Sequence, residues 1–316
     1  MFRTDFNHLL QTIDSQFFYK FMEYVSFFGS TSIVLLALLI LIGGVNFRKG
    51  FLILNLLGWA VLVMLVAKNY ADYPRPVAVD STLESFGKEI TRVDYSELQP
   101  TGFWERFSPE LLAKTRASEL GRYGFPSGHV IIITAIWIGM SLLFHKRWLW
   151  YLSVFMVLLT MISRMYLGVH YLGDVLGGLI IGLIITIGIK SLFIKFQLNK
   201  GFNLRGEHLF IFLSPVVLFF FSNFIPGFQA GNLIGFNIAL LVILKFWNEP
   251  ELAASIVKRV INVLIFITLY FPAYYITNQL PLPKTGLLSM ATYSIINFVV
   301  VFVFFYLGKT MKLYRY

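Results

Sequence analysis

The sequence predicts an all-α polytopic transmembrane bundle of about nine spans, with an N-terminal amphipathic helix and a long extracytoplasmic loop. Three observations carry that prediction. Hydrophobic residues make up 57% of the 316 residues and charged residues only 13%, where a soluble domain carries about 25% charged. Mean hydropathy is accordingly high, at +0.73. Several uncharged apolar runs reach the length scale of a membrane-crossing helix, roughly 20 residues. The basic residues, finally, gather in alternate connections between those runs.

Each element follows from its local pattern. In residues 1–26, Leu9, Leu10, Ile13, Phe17, Phe18, Phe21, Met22 and Val25 recur at helical spacing, with Asp5, Asp14, Lys20 and Glu23 between them. This reads as an interfacial amphipathic helix lying on the membrane, with packing against the protein itself as the open alternative. The first span is expected at about 27–45 and the second at about 51–67, stopping at Lys68. No signal peptide stands apart from the first span, so that span is expected to be retained. Residues 69–124 are polar, mixed in charge and punctuated by Pro74, Pro76, Pro100 and Pro109. They form the long loop, with a short helix expected near 109–118 that Ser108 could cap. Spans three to five fall at about 129–144, 148–163 and 175–193, and spans six to nine at about 208–225, 232–244, 260–277 and 287–307. The organisation expected is an interfacial helix (1–26), a catalytic core (27–200, including the 69–124 loop) and additional C-terminal helices (201–316).

The chain has no Cys, which excludes disulfides, thiolate nucleophiles and Cys-based metal sites. A net charge of +10 can signal nucleic acid, but the placement of the charges explains it better. Arg48/Lys49, Lys146/Arg147, the group from Lys190 to Arg205, Lys245/Lys258/Arg259 and Lys309/Lys312/Arg315 all fall in alternate connections, with few acids among them. That is the positive-inside pattern, and it needs no nucleic acid. It puts the N-terminus and the 69–124 loop outside and the C-terminus in the cytoplasm. The chain's compactness and the absence of Cys and of Asn-x-Ser/Thr sequons point to a bacterial inner membrane.

Three polar clusters interrupt the apolar background. They are Lys68-x6-Arg75-Pro76, Pro126-Ser127-Gly128-His129 and Ser163-Arg164-x5-His170-x3-Asp174. The last two are separated by apolar runs at 130–144 and 148–162, joined by His145-Lys146-Arg147. Two helices and a tight turn return both clusters to one side of the membrane, the outer side. His170 and Asp174, four apart, share a face of a helix and can hydrogen-bond. An Asp accepting from one imidazole nitrogen leaves the other as a nucleophile. Ser127 suits an N-cap, and a helix N-terminus with Gly128 open to close approach makes an anion site. His129 beside it could protonate a leaving oxygen. Lys68, Arg75 and Arg164 add cations, and the Arg fork suits a phosphate. No carboxylate cluster of the kind Mg²⁺ needs is present, and no cofactor is implied. Singly, each residue has an ordinary reading: Lys68 a snorkelling cap, Arg164 an anchor, His129 an interface histidine, Ser127 a cap, Asp174 a structural partner. Jointly, on one side, they suit phosphoryl transfer through a phosphohistidine.

These three motifs, in this order, resemble the signature motifs of the phosphatidic acid phosphatase type 2 superfamily, over roughly residues 51–195. The resemblance implies a helical core and metal-independent dephosphorylation. It implies His170 as nucleophile, Asp174 as its partner, His129 as general acid, and Lys68, Arg75, Ser127, Gly128 and Arg164 as phosphate ligands. The spans set the chain apart from the soluble vanadium haloperoxidases. The nine-span layout resembles the glucose-6-phosphatase and sphingosine-phosphate phosphatase branches. Because Lys68, His129 and Arg164 stand at span ends, at head-group depth, the expected substrate is a membrane lipid phosphate monoester. The alternatives are a polyprenyl (undecaprenyl) diphosphate phosphatase, a glucose-6-phosphatase-like sugar-phosphate phosphatase, and a lipid transporter or binding protein with a dead site.

Overall fold

A computed structural model describes residues 1–84, 95–117, 123–204 and 206–315. The helices are α1 (Asp5–Gln11), α2 (Gln16–Phe27), α3 (Thr31–Ile40, continued by a π turn Leu41–Val45), α4 (Phe47–Ala71), α5 (Pro76–Val79), α6 (Pro109–Ala117), α7 (Gly128–Phe144), α8 (Arg147–Tyr166), α9 (Leu172–Lys195), α10 (Gly206–Leu213), α11 (Gly227–Trp247), α12 (Ile256–Gln279) and α13 (Leu287–Thr310). A two-residue antiparallel pair, β1 (Glu251–Leu252) with β2 (Tyr314–Arg315), ties the chain's end to the α11–α12 connection. The chain forms two compact units, one of residues 1–33 and 63–187, the other of residues 34–62 and 188–316.

Where the sequence predicts about nine spans, six helices among the described residues are long and apolar enough to cross a membrane, or seven if the pair α2 and Thr31–Val45, bent by 55°, counts as one. The other two expected spans are helical but short. α7 has 17 residues, which at a 1.5 Å rise is about 25 Å, less than the ~30 Å hydrocarbon core. The expected sixth span breaks after Leu213 into a 3-10 stretch, Ser214–Phe221, with Pro215 in its first turn. Proline lacks the N–H that would continue an α-helix. The expected seventh span, the shortest in the sequence, is instead a full 21-residue helix, α11.

The first unit is built on the α7–α8 hairpin. α7 ends on His145 in the left-handed conformation (φ 54°), a helix stop that lets the chain turn back at once. A buried Ser141–Ser153 hydroxyl hydrogen bond of 2.7 Å joins the two helices, and Val130, Ile133, Val157, Met161, Met165 and Val175 form the core beneath the polar clusters. Residues 1–26 pack on the protein and leave Leu9, Phe17 and Tyr24 exposed, an arrangement that fits both readings of the segment. The segment is two helices, and both lie against α8. Met22 and Val25 are buried, and Asn7 is wholly enclosed (0% exposed). Within the expected loop, α6 is present, with the Ser108 hydroxyl accepting from Leu111 N at 3.1 Å. Leu111 and Phe107 join Val79 and Tyr171 in a small core, so this part of the loop rests on the residue that follows His170. The rest of the loop, 85–94 and 118–122, lies outside the described residues.

In the second unit α11 lies against α13 through Gly227, Gly231 and Gly235. A Cβ at Gly231 would stand 2.5 Å from Tyr293 Cβ and 2.9 Å from the Met290 carbonyl oxygen. Small residues every fourth position allow backbones to approach where lipid offers no hydrophobic drive. Amide bonds reinforce the packing, Asn297 to Asn232 at 2.6 Å and Asn237 to Asn55 at 2.8 Å.

Candidate active site

All eight residues singled out in the sequence lie in the first unit. Lys68 sits in the last turn of α4. Arg75 caps α5, with Pro76 at the first helical position, where the missing N–H has no intrahelical partner to lose. α4 comes close to the start of α7 because position 128 is glycine: a Cβ there would stand 2.6 Å from Met64 Sδ and 3.5 Å from Lys68 Cε. The Lys68 stem thus runs beside that helix start, and its ammonium donates to the Tyr123 carbonyl at 2.6 Å.

Ser127 takes the N-cap position of α7 by its backbone, but its hydroxyl caps nothing; Oγ is buried with no hydrogen-bond partner among the described residues. A buried hydroxyl without a partner costs free energy, so this one is suited to donate to a bound anion beside the first N–H groups of α7. The backbone N–H of Ser127 donates to the Asp174 carbonyl at 3.0 Å. That bond fastens the second cluster directly to the third.

His170 and Asp174 meet as the sequence predicts, but not as two residues of one helix. α9 begins at Leu172, so His170 lies in the turn before it and Asp174 in its first turn, where an acid suits the helix dipole. Asp174 Oδ2 accepts from Tyr171 N at 2.9 Å and faces His170 Nδ1 at 3.3 Å. The turn itself depends on Gly168, at φ +68°, a left-handed position that favours glycine; its carbonyl accepts from Val77 N at 3.1 Å, joining the turn to α5 just after Arg75-Pro76.

His170 and Asp174 are sealed from solvent, 2% and 0% exposed. Burial first, and then the positive charges of Arg164, Arg75, Lys68 and the neighbouring His129, hold the His170 imidazole well below its ordinary pKa. Nδ1 of the ring is the nitrogen that faces Asp174, which leaves Nε2 free of that contact. Arg164, buried in the last turn of α8, donates from Nη1 to the Ser26 hydroxyl. The His129 ring packs on Gly29, where a Cβ would stand 2.6 Å from Cδ2. Among the described residues no three His, Asp or Glu side chains gather to hold a metal ion.

Sequence reasoning missed three residues that touch this site: Asn7, Ser26 and Gly29. Asn7 Nδ2 donates to the carbonyls of Met165 (2.8 Å) and His170 (3.0 Å). These contacts join residues a hundred or more positions apart, so no local pattern announces them.

Residues 49–197 match the PAP2 superfamily. Among curated proteins, the chain is similar to an undecaprenyl-diphosphatase of Sulfolobus acidocaldarius (30% identity over 30% of this chain and 42% of the relative). It is also similar to a lipid A 4'-phosphatase of Bacteroides thetaiotaomicron (45% identity over 20% and 28%) and to a phosphatidylglycerophosphatase B of Bacillus subtilis (34% identity over 28% and 46%). The chain thus spans less than half the length of each of these relatives. No solved structure matches it. With its apolar helices of membrane-crossing length and the three motifs in place around a buried histidine, the chain is an integral membrane protein whose residues 49–197 match the PAP2 superfamily.

Proposed function

We propose that the protein is a phosphatase that hydrolyses a lipid phosphate monoester at the extracytoplasmic face of the membrane through a phosphohistidine, without a metal ion. One observation carries this reading: a buried His170 is backed by Asp174, and backbone hydrogen bonds join that pair's segment both to Ser127 at the start of α7 and to α5 just after Arg75. His170 Nε2 attacks phosphorus, the bond to the leaving alkoxide breaks, and His129 gives that oxygen its proton. A water deprotonated by His129 then attacks the phosphohistidine; the N–P bond breaks, inorganic phosphate leaves and His170 is restored. Lys68, Arg75, Arg164, the Ser127 hydroxyl and the N–H groups at Gly128 carry the charge that develops on the equatorial oxygens, the work that preorganised donors do best in a water-poor site.

The lipid preference rests on depth. Lys68 closes α4, His129 opens α7 and Arg164 closes α8, so the phosphate stands where helices end and a lipid head group lies. The names of the relatives, which mention lipid A, undecaprenyl diphosphate and phosphatidylglycerophosphate, agree with it. The same residues could serve a polyprenyl diphosphate, and the undecaprenyl-diphosphatase relative favours that as the second reading. The test is phosphate release by the purified full chain in excess EDTA, over lipid monophosphates, prenyl diphosphates and sugar phosphates. Turnover confined to long-chain lipid monophosphates is expected. Turnover of prenyl diphosphates alone selects the second reading; turnover of sugar phosphates alone, or only after Mg²⁺ is restored, contradicts both.

A further inference from the structure

We propose that residues 1–30, which lie outside the stretch matched to the superfamily, form a positioning collar that sets three catalytic groups in register. The inference rests on the catalytic roles proposed above for His170, His129 and Arg164. Asn7 holds the turn that carries His170. Its amide spends both N–H bonds on main-chain carbonyls, those of Met165 and of His170 itself. Since both neighbours are acceptors, only the NH₂ end can face them. Among the described residues the buried Asn7 Oδ1 has no partner, a cost that burying this amide incurs for the sake of its two donors. Fixing the carbonyl of His170 from one side while Asp174 meets its ring from the other restricts where Nε2 points.

The collar reaches the other two groups as well. The Ser26 hydroxyl accepts from Arg164, and the preceding turn is pinned by the Ser163 hydroxyl donating to the Met22 carbonyl at 2.6 Å. Gly29, in the bend between α2 and α3, lets the His129 ring lie against the backbone. Three contacts on three different groups predict three different kinetic signatures, which a merely structural segment would not produce.

The experiment compares monodisperse, detergent-purified full-length variants, with active molecules counted by the phosphoenzyme burst. Asn7→Ala is expected to lower kcat with KM and the vanadate inhibition constant unchanged, by about 10²-fold if the nucleophile moves by an ångström. Asn7→Asp, which keeps the shape but not the two donors, should do the same. Ser26→Ala should instead raise the vanadate inhibition constant about tenfold, the scale of a hydrogen bond to a charged group. Gly29→Ala should slow alkyl phosphates more than p-nitrophenyl phosphate, because it displaces the proton donor. If all three variants show one common loss, tracking the active fraction and independent of substrate and inhibitor, the collar is only structural and the proposal is overturned. If the wild-type chain hydrolyses no phosphate, the proposed function fails by itself. Positioning is then read from carbethoxylation by diethyl pyrocarbonate, located by mass spectrometry. Asn7→Ala should speed reaction at His170 while the exposed His145 is unchanged, and an unaltered rate at His170 would overturn the collar.

Discussion

At the scale of residues, the account turns on two histidines given different work. His170→Ala should abolish turnover of every substrate, since no phosphoenzyme can form. His129→Ala should cost an alkyl phosphate most of the ~10²–10⁴-fold that general acids supply, and p-nitrophenyl phosphate much less in the first step. Steady-state and burst kinetics on both substrates check this; equal losses with no burst would mean the roles are misassigned. The environment of His170 also fixes a pH dependence. Its imidazole is held well below its ordinary value by burial and by Arg164, Arg75 and Lys68, and it attacks only when unprotonated. Activity should therefore persist as pH falls past about 6.5, the ordinary value for histidine, and be lost only lower. The profile of kcat/KM, run on two substrates whose phosphates differ in acidity, checks this: the acid limb common to both belongs to the enzyme. A His170 ring that titrates at or above the ordinary histidine value when followed directly by NMR would contradict the burial argument. The pairing of His170 with Asp174 was legible from their spacing alone. The idle Ser127 hydroxyl was not, because a cap residue and an anion donor look alike in sequence.

At the scale of elements, periodicity located every apolar helix but could not say what each one faces. The pattern of Phe17, Phe21, Met22 and Val25 fits a helix on a membrane as well as one on a protein. The structure adds the protein side of that pattern, with Asn7 buried under the 165–170 turn and Ser163 bonded to the Met22 carbonyl, contacts that leave no local trace. The broken sixth span was, by contrast, foreshadowed by Pro215 within an apolar run. α11 and α13 offer a test of packing. Gly231→Val would drive a branched side chain into Tyr293 and the Met290 carbonyl, and overpacking of this kind costs about 1–3 kcal/mol. A clear fall in the thermal midpoint in detergent is expected. Gly188→Ala is the control: a Cβ there meets nothing within 4 Å, and alanine is the better helix former by about 1 kcal/mol, so stability should hold or rise. Equal effects of the two substitutions would mean the close approach of α11 and α13 is not what holds them.

At the scale of the whole molecule, orientation follows from charge. The positive-inside pattern predicts that Arg48/Lys49, Lys146/Arg147 and the C-terminal lysines lie in the cytoplasm and that the site faces outward. Cysteines introduced as Glu110→Cys and Lys146→Cys, probed with an impermeant thiol reagent on spheroplasts, should label at the first position and not the second. The reverse result would turn the site inward. The central claim, that a membrane lipid phosphate is cleaved through His170 without metal, is tested most directly by trapping the intermediate. The intact chain in lipid nanodiscs would be mixed with a radiolabelled long-chain lipid phosphate in excess EDTA, quenched within one turnover, and the label located by mass spectrometry. We expect an acid-labile, base-stable phosphate on His170, accumulating further in His129→Ala and missing in His170→Ala. Label on another residue, label that persists in His170→Ala, or turnover with no covalent phosphate at all would contradict the account.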